Sequence, residues 1–595
     1  MGCVGIVAGA VAVGVSQLVA AGTRPEAAPV VAVGDAVVDI TPAPVKNWAI
    51  GVLGPLDKPA LIIGIVIILA FAAAAIGRLT ARRRGLGLTC LAAFGVIGAL
   101  AALTRPDATA LYVVPAVVGA AAGAAALVIL TRLATDLNTA EHPATGDAAE
   151  PAQDGTPATP AAPARAAGTA PSTADTADGH AGMPDGRAAP ASGGAGAADG
   201  TGAADAPRGP DDAAEAPAPA GSTPMSADGG RWDDVERADP GVARRRFMTG
   251  VGVGIGVAGL GVIGGWQLGG TGQVSAARTR LRIPAPAKPA PPLPKGVDLH
   301  VPGLSPFVTP NKDFYRVDTA LLVPSVQPRE WKLRVHGLVG RPIELSFDEL
   351  LRRPLREADV TLTCVSNEVG GPYAGNARWL GAYLPDLLRE ARVRGDADML
   401  LTTSSDGWTC GTPLDVVMDG RQALLAVAMN GSALPVEHGF PVRQVVPGLY
   451  GYVSATKWIV DIEVTRFSAA QAYWTTRGWS ARGPIKTESR IDVPGNGKHI
   501  DAGRVTVAGV AWAQHRGVER VEVRVDDGPW RSAHLADVPG PDTWRQWSIP
   551  WDAAPGQHRI AVRATDAGGR TQTPDERPPA PNGASGWHTI TVTAG

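Results

Sequence analysis

Four apolar runs crowd the first quarter of the chain, at residues 2–21, 60–77, 86–103 and 110–133. Each is close to the ~20 residues an α-helix needs to cross ~30 Å of hydrocarbon. The loop between the second and third runs carries Arg78, Arg82, Arg83 and Arg84. The excess of Lys and Arg in cytoplasmic loops assigns it to the cytoplasm. Four crossings then leave both ends of the bundle on that side. The first run begins at Met1 with no basic flank, which points to a start further upstream. Residues 1–134 read as a four-helix transmembrane region.

From 135 to 242 the chain is mostly Ala, Pro, Gly, Asp and Thr, with almost no aromatics. Such a segment buries too little apolar surface to order itself, so a disordered cytoplasmic linker is expected. Residues 243–270 then bring Arg244-Arg245-Arg246-Phe247 and a further apolar run. This resembles a twin-arginine export signal leading into a fifth transmembrane helix; the plainer alternative is a basic anchor on its cytoplasmic side. Both readings send the helix outward, and the twin-arginine route moves folded proteins, as a cofactor inserted in the cytoplasm requires. Residues 271–305 contain a Pro-rich stretch, expected to be a semi-rigid spacer.

Most of the 15 tryptophans lie beyond Asn311, which marks this half as the folded, core-bearing part. The net charge of -2 offers no basic field for nucleic acid. Residues 306–495 show many short strands and a few short helices, an α+β, β-rich domain. Residues 500–595 turn all-β: Val505, Val507 and Gly509 alternate, as do Val521, Val523 and Val525, and Asp526-Asp527-Gly528 supplies a turn. An immunoglobulin-like β-sandwich is expected there. The fold class is thus an N-terminal transmembrane α-helical bundle followed by two exported β-rich domains.

Four cysteines are too few for a disulfide framework, and none is paired at CxxC spacing. Cys3 and Cys90 fall in membrane runs. Cys364 ends a strand, Val360-Thr-Leu-Thr-Cys364, and opens a polar Gly-rich loop. A thiol beside such a loop suits a soft metal; a half-buried structural cysteine or a disulfide to Cys410 remains open. Further on, His438, Arg443 and Lys457 stand in a frame stiffened by Gly and Pro. Arg and Lys near backbone amides make a phosphate cradle; a solvated basic face is the plainer alternative. Cys410 and His336 read as structural.

The run from Met429 to Trp458 resembles the pterin-binding segment of the sulfite oxidase family. The strand and loop around Cys364 resemble that family's metal-cysteine segment, followed by Asn376-Ala-Arg378-Trp379-Leu-Gly381. Asp313-Phe314-Tyr315-Arg316 is similar to its opening cofactor-contact segment. Gly509-Val-Ala511-Trp512, Trp530, Trp544 and Trp587-His588 resemble its dimerisation domain. The resemblance implies a molybdopterin domain at 306–495 and an immunoglobulin-like dimerisation domain at 500–595. It implies molybdenum held by one molybdopterin and by Cys364, with Tyr315, Arg316, His438, Arg443, Ser454 and Lys457 holding the pterin and its phosphate. It also implies an oxidoreductase whose electrons leave singly, to a separate redox protein such as a cytochrome or membrane haem protein.

The sequence departs from the family at the substrate. Val317 stands where sulfite oxidases place an anion-binding arginine, with Asp318 beside it, and Trp479 stands where they place a tyrosine. An aliphatic chain cannot bind sulfite and Trp has no acidic hydroxyl. Arg378, Arg477 or Lys486 are candidates for replacement charge, which makes Val317, Asp318, Arg378 and Trp479 the expected substrate pocket. The expected substrate is a small oxo-donor or acceptor, either an oxo-acceptor other than plain sulfite or a sulfoxide-type compound, met on the extracytoplasmic face of the cell membrane. A sulfite dehydrogenase with a rebuilt anion site, or a cofactor-free anchored binding or adhesion protein, are the alternatives. None of the ten histidines lies in an expected membrane helix, so the bundle cannot hold a bis-histidine haem by itself.

Overall fold

The computed structural model describes residues 1–23, 27–41, 45, 57–104, 108–141, 239–268, 271–320 and 322–595. Most of the expected linker, 142–238, lies outside the described residues. The first helices are α1 (Gly2–Gly22), α2 (Pro29–Ile40), α3 (Asp57–Arg82), α4 (Arg84–Leu103), α5 (Val114–Glu141), α6 (Pro240–Leu268) and α7 (Thr271–Arg280). Five described helices are long and apolar enough to cross a membrane, and all four early runs and the run after the arginines are among them. Their outer faces expose Ile68, Phe71, Ile255 and Leu260, apolar chains that lipid would cover. α2 is 12 residues long and is too short to cross.

Small residues let α1 sit against its neighbours. A methyl group on Gly77 of α3 would meet Gly5 Cα at 2.7 Å, and one on Gly261 of α6 would meet the Gly14 carbonyl oxygen at 2.3 Å. In lipid, close approach of this kind replaces the hydrophobic effect as the source of helix association. Gly261→Leu is therefore expected to destabilise the bundle by about 1–3 kcal/mol. This reads as a lower unfolding temperature of the detergent-solubilised chain. Leu260→Ala, at a side chain 73% exposed, should leave that temperature unchanged.

The α+β domain is built on two sheets. One has the order β2-β1-β10-β5-β6, from β1 (Lys332–Gly337), β2 (Ile343–Ser346), β5 (Met399–Ser404), β6 (Thr409–Pro413) and β10 (Ile459–Thr465). β1 and β10 run parallel, with Val335 opposite Ile462. Leu333 and Val335 alternate inward with exposed Lys332 and Arg334, the period-2 pattern of a half-buried strand. The other sheet joins β3 (Leu355–Thr363), β4 (Ala374–Tyr383), β7 (Leu424–Met429) and β8 (Ser432–Ala433), with β9 (Arg443–Val445) also on β7. All six residues of β7 are buried, as a central strand demands.

Beyond Glu488 two sheets face each other. Their orders are β11-β13-β17-β16 and β12-β19-β18-β14-β15, where β12 (His499–Ile500), β15 (Arg531–Ser532) and β16 (His534–Leu535) are short edge strands. The long strands are β11 (Glu488–Val493), β13 (Gly503–Trp512), β14 (Val518–Val525), β17 (Arg545–Ala553), β18 (Gly556–Asp566) and β19 (His588–Ala594). Val507, Val521, Trp547, Ile560, Val562 and Ile590 fill the space between them. This sandwich is fused to the preceding domain. Trp512 and Trp544 enter that domain's core, the Trp544 indole donates to the Phe307 carbonyl at 2.9 Å, and Gln514 Nε2 donates to the Thr361 carbonyl at 3.2 Å.

The stretch expected to be a free spacer is bonded to the α+β domain instead. Arg278 of α7 donates to the Leu434 and Ala433 carbonyls at 2.7 and 2.9 Å. Lys288 exchanges backbone hydrogen bonds with Leu355 and Glu357 along the edge of β3. Proline supplies extended segments with few donors, so a Pro-rich strand can line a sheet edge as readily as it can span solvent.

Candidate active site

Cys364 follows the last residue of β3, and its amide donates to the Tyr373 carbonyl at 2.9 Å. The loop it opens is tied shut by Asn367, whose Oδ1 accepts from the Tyr373 amide at 2.7 Å. Its sharpest turn is at Gly370, where φ is +77°. There the backbone touches His588 of β19, and a Cβ on Gly370 would lie 2.2 Å from His588 Cδ2. Burial and nearby Arg490 pull the His588 imidazole down to about 4, so it is neutral, and its Nδ1 accepts from the Ile491 amide at 2.9 Å. Gly370→Ala combines a left-handed backbone penalty of about 1–2 kcal/mol with a clash that the anchored ring cannot relieve cheaply. Its expected result is a displaced Cys364 loop, measured as a falling molybdenum content with the sandwich still folded by circular dichroism.

Cys364 is a free thiol, as is Cys410, so no disulfide joins them. Cys410 is fully buried in β6. The Cys364 sulfur lies 2.9 Å from Ser366 Oγ; burial pushes its pKa up, and the Ser366 contact opposes that. It opens on a cavity of about 480 Å³ that is also lined by Tyr315, Val317, Asp318, His438, Arg443, Lys457 and Trp479.

The basic groups of this cavity stand in two different states. Lys457 Nζ donates to Asp318 Oδ2 at 2.7 Å, and Arg316 Nε donates to the same oxygen at 3.0 Å. Burial pulls Lys457 down to about 8 despite that carboxylate. Arg443, only 5% exposed, has no carboxylate partner among the described residues. It donates to the His438 carbonyl at 3.1 Å, its Cζ sits 4.9 Å from the centre of the Trp379 ring, and its Nε has no hydrogen-bond partner. Burial draws its pKa to about 10. His438, drawn down to about 4 by burial and then by Arg443, is neutral, so its Nε2–H donates to the Asn311 carbonyl at 3.1 Å.

Three of the expected residues fall outside the cavity lining. Arg378 is clamped by both oxygens of Asp359, at 2.9 and 2.8 Å, and also donates to the Pro291 carbonyl, which removes it from the substrate pocket. Its place on β4 opposite Asp359 of β3 makes that pairing the nearest one available. Ser454 is fully buried, with its hydroxyl at 3.0 Å from the Leu449 and Tyr450 carbonyls. Arg316 reaches the site only through Asp318. Neither Arg477, stacked 3.5 Å over Tyr473, nor Lys486, bonded to Asn582, lines the cavity.

The structure adds residues that motif reading passed over. Trp408, Tyr452, Tyr473 and Trp474 line the cavity, and so do Val37, Val38, Thr41 and Leu61 of the N-terminal helical part. Tyr452 donates its hydroxyl to the Ser480 carbonyl at 2.6 Å. The aromatic density of 473–479 was a signal for the first group. Nothing in the sequence linked the second group to a cavity: Leu61 belongs to an apolar run, and Val37, Val38 and Thr41 to the stretch between two such runs.

Residues 320–474 match the family model of the oxidoreductase molybdopterin-binding domain. Chicken sulfite oxidase is 30% identical over 334 residues, 47% of this chain and 72% of that protein. The chain belongs to the sulfite oxidase family. Human mitochondrial sulfite oxidase is 31% identical over 339 residues, and the chain spans 62% of its length. An uncharacterized oxidoreductase of Bacillus subtilis, YuiH, is 36% identical over 154 residues, 26% of this chain and 74% of that protein. The chain therefore carries an oxidoreductase molybdopterin-binding domain, and molybdenum–molybdopterin is the cofactor that such a domain takes.

The residues present fit that group. A buried guanidinium with an unpartnered Nε and no counter-ion is a costly arrangement unless an anion completes it. A phosphate does so, with the bidentate geometry that Arg matches. The Cys364 sulfur faces the same cavity and is the soft ligand that the metal calls for.

Proposed function

We propose that this protein is a membrane-anchored molybdenum-pterin oxidoreductase of the extracytoplasmic face, with oxo transfer at a Cys364-bound molybdenum and a substrate other than plain sulfite. When bound, the cofactor supplies two-electron oxo transfer. Tyr315, His438, Arg443 and Lys457 hold its organic half, with Arg316 acting through Asp318, and Cys364 holds the metal. Electrons are exchanged singly with a separate cytochrome or membrane haem protein, which donates two of them for each sulfoxide reduced. The sandwich serves as the family's immunoglobulin-like dimerisation domain.

The observation that carries the substrate reading is Asp318. Its carboxylate, with the side chain only 4% exposed, already occupies Lys457 and Arg316. Val317 projects beside it, and the lining around it is Trp408, Trp474 and Trp479. A divalent oxyanion entering here would meet a fixed negative charge and apolar walls, and would lose its hydration without compensation. A neutral sulfoxide carries no such penalty.

The orientation has two supports. The arginine cluster at 78–84 stands at one end of α3 and favours the cytoplasm. Leu61, in the second turn of α3, and Val37, Val38 and Thr41 line the cavity of the catalytic domain, which supports a place for that domain at the opposite end of α3. Arg244, Arg245 and Arg246, exposed at the start of α6, suit an export signal.

The test is dye-linked turnover by the molybdenum-loaded full chain. Saturable reduction of dimethyl sulfoxide with a flat response to sulfite is expected. Saturable sulfite-dependent dye reduction would instead establish a sulfite dehydrogenase, and purification without molybdenum from a pterin-competent host would favour a binding protein.

A further inference from the structure

The reaction cavity is not closed by the catalytic domain alone. Its outer wall is completed by Val37 and Val38 of α2, by Thr41, and by Leu61 of α3. Val37 is 41% exposed, so its side chain stands free at this wall rather than packed into the bundle. Four of the polar groups inside have partners within the protein. Lys457 is held by Asp318, His438 by the Asn311 carbonyl, Tyr452 by the Ser480 carbonyl and Ser366 by the Cys364 sulfur. The Thr41 hydroxyl is taken up by the Val37 carbonyl at 2.6 Å, so this wall offers a ligand the side chains of valine and leucine, with Trp474 and Trp479 on the same lining.

We propose that α2 and the start of α3 form a substrate-specificity wall, and that the reactant is an amphiphile. Its oxo-bearing head lies toward Cys364 and its apolar tail lies between Val38, Leu61, Trp474 and Trp479. This rests on the reading of the site as a molybdopterin centre for a neutral oxo substrate, and it names the class of that substrate. The wall belongs to the part of the chain whose neighbouring helices are built to span lipid. A tail that leaves the cavity along α2 therefore leaves it toward the bilayer surface. Apolar pockets with a few fixed polar groups are the usual form of such sites. Burial of tail carbon drives occupancy, at roughly fourfold per methylene.

The test uses the full chain, molybdenum-loaded, in phosphatidylcholine nanodiscs, with a reduced one-electron dye as the electron donor and its oxidation as the readout. In a series of n-alkyl methyl sulfoxides, kcat/KM should rise at least tenfold from methyl to octyl. Val38→Asp should lower the octyl-to-methyl ratio at least tenfold. Val38→Trp should move the preferred chain to a shorter length, a shift that misfolding cannot produce. A second readout needs no turnover: a decyl methyl sulfone with a diazirine in its chain is photolysed on the protein and mapped by peptide mass spectrometry. Label on peptides covering 29–41 and 473–479, removed by excess unlabelled sulfone, is expected. Chain-length selectivity identical in wild type and both variants, or label confined to the membrane helices and not competed, would overturn the proposal. If no sulfoxide turns over but the competed label appears on these two peptides, the wall stands and the assigned reaction falls.

Discussion

Replacing Arg443 by methionine is expected to stabilise the cofactor-free protein and to weaken cofactor retention. Arg443 is buried, has no carboxylate partner among the described residues, and leaves Nε unpaired. Burial lowers its pKa from the ordinary guanidinium range to about 10. Below about pH 10 the folded apo-protein therefore carries a charge that the unfolded chain holds more cheaply. From about pH 10 upward, until the unfolded guanidinium itself titrates, the unfolded chain binds more protons, so stability rises with pH across that window. Methionine removes the charge and keeps most of the volume. The apo-protein should gain about 1–3 kcal/mol, by analogy with buried charges replaced by apolar chains. Part of that gain is offset by the lost bonds to the His438 and Ala455 carbonyls. Loss of a charge-assisted phosphate contact should weaken cofactor binding about 10- to 150-fold. Denaturant midpoints of apo-protein and molybdenum retention on dilution measure the two effects. A purely structural arginine would lose stability on substitution and leave retention untouched.

Cys364→Ala is expected to abolish turnover while Cys410→Ala does not. Cys364 opens on the cavity; Cys410 is fully buried in β6, its sulfur 3.6 Å from Thr412 Oγ1. Removal of the metal's only protein ligand in this reading should cost about 10²-fold or more in kcat, beyond the effect of losing a partner behind a ligand. Cys410→Ala creates only a small buried void and should cost about 1 kcal/mol of stability. Dye-linked kinetics with both variants at matched molybdenum loading separates the roles.

The long apolar helices were legible because the length and composition that suit a lipid crossing are ones that little else in a protein imitates. The metal cysteine and the basic cradle were legible as an ordered set, Cys364 before His438, Arg443 and Lys457, where each residue alone carried little. Arg378 misled because a motif fixes position along a strand and not the partner across it; Asp359 lies opposite on the neighbouring strand and takes the guanidinium. The spacer misled for a related reason: composition reports whether a segment can be extended, not which sheet edge it meets. Val37, Val38 and Leu61 were invisible because nothing in a local pattern says that an N-terminal apolar segment will close a cavity formed some 250 residues or more later.

Molybdenum K-edge X-ray absorption on the loaded full chain, compared between wild type and Cys364→Ser, tests most directly whether this sulfur is the protein's ligand. The variant should show one fewer sulfur neighbour around the metal, with the two dithiolene sulfurs retained. Superimposable spectra from the two proteins would contradict the account.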